Sequence, residues 1–166
     1  MLHGDQPSYE VKMKGKTFLV DLTQDGLVHK GWAIGGRSSC LRTCQMKEGN
    51  SWLKQKYVIK FSWKEGTRVP EGDIMRHIRR TAAKDPEVLN FIPEFVTDAV
   101  FSDISTEDIR KSLGIGSNPR EFVVVVMAKL DGTIMGLDGD DLWNVFWDCF
   151  RCKYHSLKPS DGCKTF

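Results

Sequence analysis

No part of this chain stays apolar for long. The longest such run, Phe122 to Ala128, is far short of the roughly 20 residues that a membrane-spanning helix needs. Charge of one sign is equally lacking. With 24 basic and 22 acidic residues the net charge is +2, which gives no electrostatic footprint for nucleic acid or an anionic membrane surface. The first twenty residues mix Asp5, Glu10, Lys12, Lys14 and Lys16 with no continuous apolar core, so they do not form a secretory signal. Cysteine is sparse and odd in number: Cys40, Cys44, Cys149, Cys152 and Cys163 argue against a disulfide scaffold and for reduced thiols. Cys149 and Cys152 make a C-x-x-C that Cys40 and Cys44 could complete as a zinc set. One pair falls in a strand-like segment and the other in a helix, however, not on the knuckle turns that close structural zinc sites, so no metal site is expected. Internal repeats and low-complexity tracts are missing. A soluble, intracellular protein is expected, and its 166 residues, 40% of them hydrophobic, suffice for one domain with a real core.

What the chain does have is concentrated between Tyr57 and Arg80, where the hydrophobic period changes in mid-course. Tyr57, Ile59, Phe61 and Trp63 alternate with Val58, Lys60 and Ser62, the pattern of a strand with large residues on one face and Lys60 beside Val58 on the other. From Pro70 the period becomes helical: Glu71, Ile74, Met75 and Ile78 fall at i, i+3, i+4 and i+7, while Asp73, Arg76, Arg79 and Arg80 mostly take the other side. Glu71 therefore shares the face that buries. A desolvated carboxylate costs several kcal/mol unless it is paired, and the preceding strand offers Lys60, so a Lys60 to Glu71 ion pair is predicted. The plainer readings are a first-turn acid favoured by the helix dipole and an ordinary edge-strand lysine.

The rest of the chain can be taken in order. Residues 1–15 lack a sustained period and read as a loose arm. Lys16 to Leu22 is a first strand, Thr23 to Gly26 a turn, and Leu27 to Ile34 a second strand. Gly35 and Gly36 then stand at a hairpin tip before Ser38 to Met46 resumes strand spacing. Glycines there admit a phosphate close to the backbone, or simply make a tight turn. Lys47 to Lys54 reads as a polar connection. After the Pro70 helix come a short strand in Phe91 to Phe101 and a surface helix, Ser105 to Leu113, with Ser105 and Asp108 near a capping box. Glu121 to Leu130 is a β-branched run suited to burial on both faces, and a last helix from about Asp140 is apolar around more than half its circumference.

This order resembles the small lobe of a protein kinase, and in detail the fungal-type protein kinase family. The carrying residues are Gly35-Gly36-Arg37-Ser38, Val58-Ile59-Lys60-Phe61-Ser62-Trp63, Pro70-Glu71-Gly72, and Asp148 to His155. The resemblance spans roughly residues 16 to 155. It implies an α+β fold, with a small-lobe-like antiparallel sheet, one long helix and a C-terminal helix. Residues 16–136 would form that domain, and 137–166 a helix and polar tail opening a truncated large lobe. It further implies that Lys60 meets nucleotide phosphates, Glu71 orients that lysine, Gly35, Gly36 and Val58 line the nucleotide, and the backbone of Met127, Ala128 and Leu130 takes the adenine. The chain has no His-Arg-Asp and no Asp-Phe-Gly, the motifs that supply the base and the magnesium ligand of phosphoryl transfer. A non-catalytic module is therefore expected, acting by binding a protein partner and, weakly, ATP. The alternatives are the amino-terminal part of an active Ser/Thr kinase and a plain α+β interaction domain without nucleotide. Trp143, Phe146, Trp147 and Phe150 on the last helix would need cover, from the chain's own sheet, a protein partner or a second copy.

Overall fold

The computed structural model describes residues 7–31, 38–84, 89, 92–116, 118–130, 139–140 and 144. Its strands are β1 (Ser8–Met13), β2 (Lys16–Asp21), β3 (Leu27–Gly31), β4 (Ser39–Glu48), β5 (Ser51–Glu65), β6 (Phe95–Ser105) and β7 (Arg120–Ala128). Among the described residues, two helices have both ends placed: α1 (Glu71–Ala82), between β5 and β6, and α2 (Glu107–Ser112), between β6 and β7. The strands form one antiparallel sheet in the order β1-β2-β4-β5-β7-β6, with β3 also on β4. Two compact units divide the chain: residues 1–74 with 94–129, which hold the sheet, and residues 75–93 with 130–166.

The expected α+β lobe with one long helix is not what forms. The described residues are mostly antiparallel sheet, which curls into a half-barrel in the first unit, with two short helices beside their strands. Two segments account for the difference. Residues 8–13, expected as part of a loose arm, pair along their whole length with β2 from Ser8↔Asp21 to Met13↔Lys16. Their weak alternation of Tyr9, Val11 and Met13 becomes a strand because β2 offers an open edge, and Met13 is 4% exposed. The expected polar connection at 47–54 is also strand: β4 and β5 run on to Glu48↔Ser51, and a tight turn with Gly49 at φ 57° joins them. Lys47, opposite Trp52 in that ribbon, lies 5.5 Å from its ring centroid.

β2 and β3 lie end to end on one edge of β4: Phe18–Val20 pair with Met46–Cys44, and Leu27–Gly31 with Arg42–Ser39. The break between them is held by Asp21, whose carboxylate accepts from Thr23 N (2.8 Å) and Oγ1 (2.6 Å), and by Arg42, which donates to the Asp21 and Thr23 carbonyls. The core lies on one face of the curled sheet, where Phe18, Val20, Cys44, Tyr57, Ile59, Val124 and Val126 meet. All four valines of β7, Val123 to Val126, are buried, as expected of a strand covered on both faces. The curl brings the ends of the strand order together: Lys14, in the β1–β2 turn, donates to Asp98 of β6 at 3.0 Å.

In the second unit, Met75 and Ile78 of α1 pack with Leu89 around buried Ala82 and Ile92. Arg79, expected on the solvated side, instead donates to the Ile92 and Pro93 carbonyls (3.1 and 2.9 Å). α2 also departs from expectation. Its N-cap is Thr106 with no side-chain cap, so the Ser105 to Asp108 box does not form; Ser105 Oγ accepts from Glu107 N at 3.2 Å instead. Gly139, Asp140 and Asn144 are helical, while Trp143, Phe146, Trp147 and Phe150 lie outside the described residues. No described helix is long and apolar enough to cross a membrane.

Candidate functional site

Alternation along β5 sends Tyr57, Ile59 and Phe61 into the core cluster, with Trp63 beyond them against Phe122 and at the cavity's edge, and leaves Val58, Lys60, Ser62 and Lys64 on the other face. Cross-strand partners share a face, so Lys60 stands with Val125 of β7 and Leu41 of β4, and Ser62 with Val123 and Ser39. Val125 and Val123 are dry, so Lys60 rises from an apolar floor, and its ammonium must find its partners above the sheet. The chain supplies one there by leaving β5 through a turn at residues 66–69 and starting α1 at Glu71. Pro70 precedes the first helical residue, and its carbonyl takes the Asp73 and Ile74 N–H groups.

Lys60 Nζ donates to both oxygens of Glu71, at 2.9 and 2.6 Å. The side chains are 25% and 37% exposed, so the pair is reached by water. It borders a cavity of about 650 Å³ lined by Ser39, Lys60, Ser62, Thr67, Arg68, Glu71, Ile74 and Val123, among others. That volume is in the usual range of small-molecule pockets.

Two further features hold the start of α1. Gly72 packs so tightly on Asp98 that a Cβ there would overlap the carboxylate, and Asp98 itself is buried (3% exposed). An anion at the first turn of a helix is favoured by the exposed N–H groups and the helix dipole. Lys64 closes the other side: it pairs with Glu121, its cross-strand neighbour, at 2.8 Å and donates to the Glu65 and Gly66 carbonyls.

Of the sequence-predicted residues, the structure brings Lys60 and Glu71 together. Val58, Met127, Ala128 and Leu130 do not line this cavity. Val58 faces Met127 across the β5–β7 ladder, Ala128 packs against the core, and Leu130 is 64% exposed. The N–H of Ala128 is bonded to Glu94 O at 2.8 Å and that of Lys129 to Lys56 O at 3.1 Å, so neither is open to an adenine. Gly35 and Gly36 lie outside the described residues. Sequence reasoning missed Arg68, Thr67, Lys64 and Asp98. Asp98 alone left a signal: an acid in the middle of the strand-like EFVTDAVF, where Asp is disfavoured unless something holds it.

Of the four cysteines weighed as a zinc set, only Cys40 and Cys44 are described, and both are free. Burial pushes the Cys44 thiol from 9.0 up to about 12, which makes it an inert core residue. No family model matches the chain, and neither does any curated protein or solved structure.

Proposed function

We propose that this chain is a non-catalytic module that resembles protein kinases in its strand-lysine to helix-glutamate pair, and that it acts by binding a protein partner and, weakly, ATP. The observation that supports this reading is the two-oxygen contact between Lys60 and Glu71 at the edge of the cavity. A lysine held in this way keeps its aim and has a third N–H for a phosphate oxygen. The sequence offers no catalytic-loop aspartate and no metal-binding Asp-Phe-Gly, so the bound nucleotide is held and not consumed. The free thiols fit a reducing, intracellular setting.

Calorimetric titration of ATP with magnesium into the purified chain tests the reading. Weak, saturable binding is expected, lost in Lys60→Ala, with labelled-phosphate transfer to protein substrates at background. Binding that is unchanged in Lys60→Ala overturns it, as does transfer that persists after contaminating kinases are removed.

A further inference from the structure

We infer that the cavity beside Lys60 is a phosphoryl-binding site in which Arg68, carried by the turn between β5 and α1, is the second cationic anchor. The inference rests on the pocket assigned above but not on nucleotide as its occupant.

A count of donors carries it. Among the described residues three cations line the cavity: Lys60, Lys64 and Arg68. Lys64 has no proton to spare, because Glu121 and the carbonyls of Glu65 and Gly66 take all three. Lys60 spends two on Glu71 and keeps one. Arg68 uses only its Nε, on Glu65 at 2.8 Å, and its terminal guanidinium nitrogens make no hydrogen bond among the described residues. The Ser39, Ser62 and Thr67 hydroxyls at the same cavity likewise make none among the described residues. The one lining carboxylate among the described residues, Glu71, is already engaged by Lys60.

An incoming group thus meets a planar guanidinium fork, an ammonium proton and three hydroxyls. That set suits the tetrahedral, multiply accepting oxygens of a phosphoryl group. Among the described residues the base end has no comparable provision, since the Ala128 and Lys129 N–H groups are bonded within the protein. Recognition therefore centres on the phosphoryl oxygens.

Isothermal titration of the full chain with inorganic phosphate, pyrophosphate and ATP, each in the presence of a divalent-cation chelator, with ATP repeated in magnesium, is the test. Pyrophosphate is expected to bind, and ATP no more tightly. Arg68→Gln is expected to weaken pyrophosphate about tenfold, the scale of a lost charge-assisted hydrogen bond, and Arg68→Lys less. Arg68 is 50% exposed, so the variants should melt like the wild type. Pyrophosphate affinity unchanged in Arg68→Gln overturns the inference, as does no binding of any of the three ligands. ATP that binds only with magnesium, depends on Lys60 and ignores Arg68 overturns it while sparing the proposed function. Pyrophosphate binding that needs Arg68, with no ATP binding, upholds it and removes nucleotide from that function.

Discussion

One strand, β5, has two faces with opposite fates. Tyr57 and Ile59 are 4% and 0% exposed, and Phe61 and Trp63 stack and tilt on Phe122. One residue along, on the other face, Lys60, Ser62 and Lys64 border a cavity. Alternation settles which residues share a face, but it says nothing about which face is filled. That depends on what the curl of the sheet brings over it. The same comparison separates two lysines four residues apart: Lys64 is fixed in place by three bonds, while Lys60 is held by one carboxylate and keeps a proton for a ligand.

The largest effect should come from the filled face. Ile59→Ala removes a fully buried side chain between Phe18, Val20 and the β7 valines, and such truncations cost about 2 to 5 kcal/mol. Denaturant unfolding of the variant reads this directly; a loss below about 1 kcal/mol would mean that the curled interior is not tightly packed. Next comes the contact that seats α1. Gly72→Ala places a Cβ into the Asp98 carboxylate, and overpacking of this kind costs about 1 to 3 kcal/mol. In combination with Asp98→Ala the carboxylate part of the clash is gone and only the residue-98 Cβ, at 2.8 Å, is left to give way, so the double variant should be more stable than the sum of the two single losses allows. Strict additivity would show that α1 does not depend on this seat.

Much of this was legible in the sequence. The Tyr57 alternation, the Pro70 start, the Val123 to Val126 run and the Lys60 to Glu71 pair are all local patterns, or follow from two adjacent ones. The class of fold was not legible, because residues 8–13 and 47–54 become strand through their partners and not through their own period. Arg68, Lys64 and Asp98 were missed for a similar reason. Each acquires its role from a neighbour that the sequence does not place: a turn that folds over the cavity, a cross-strand glutamate, and a helix start.

Alkaline pH should also divide the two faces. Cys44 lies on the core face opposite Tyr57, and burial raises its thiol from 9.0 to about 12. Burial first, with the Glu94 and Glu48 carboxylates adding to it, pushes the Tyr57 phenol the same way. Above about pH 9 the unfolded chain's thiol ionises while the folded one stays neutral. The unfolded state then binds fewer protons, and stability falls as pH rises toward 12. The cysteine's share should reach about 1 kcal/mol by pH 10. It is measured as the difference in pH slope between wild type and Cys44→Ala; equal slopes would place the thiol in contact with water.

The smallest effect is expected at the pair that carries the proposed function. Lys60 and Glu71 are 25% and 37% exposed, against 14% and 25% for Lys64 and Glu121. Water screens the first pair more, and ion pairs this accessible contribute about 0 to 1 kcal/mol. Lys64 also satisfies two backbone carbonyls that close the turn after β5, so its loss leaves acceptors unmet that Lys60 does not serve. A double-mutant cycle on Lys60→Ala and Glu71→Ala should therefore give a smaller coupling than one on Lys64→Ala and Glu121→Ala. Ligand binding should rank them in reverse, since Lys60 has a proton for a phosphate oxygen and Lys64 has none. A Lys60 to Glu71 coupling of several kcal/mol would signal a closed, desolvated pair that no ligand reaches. Retained pyrophosphate binding in Lys60→Ala would move the site to Arg68 alone.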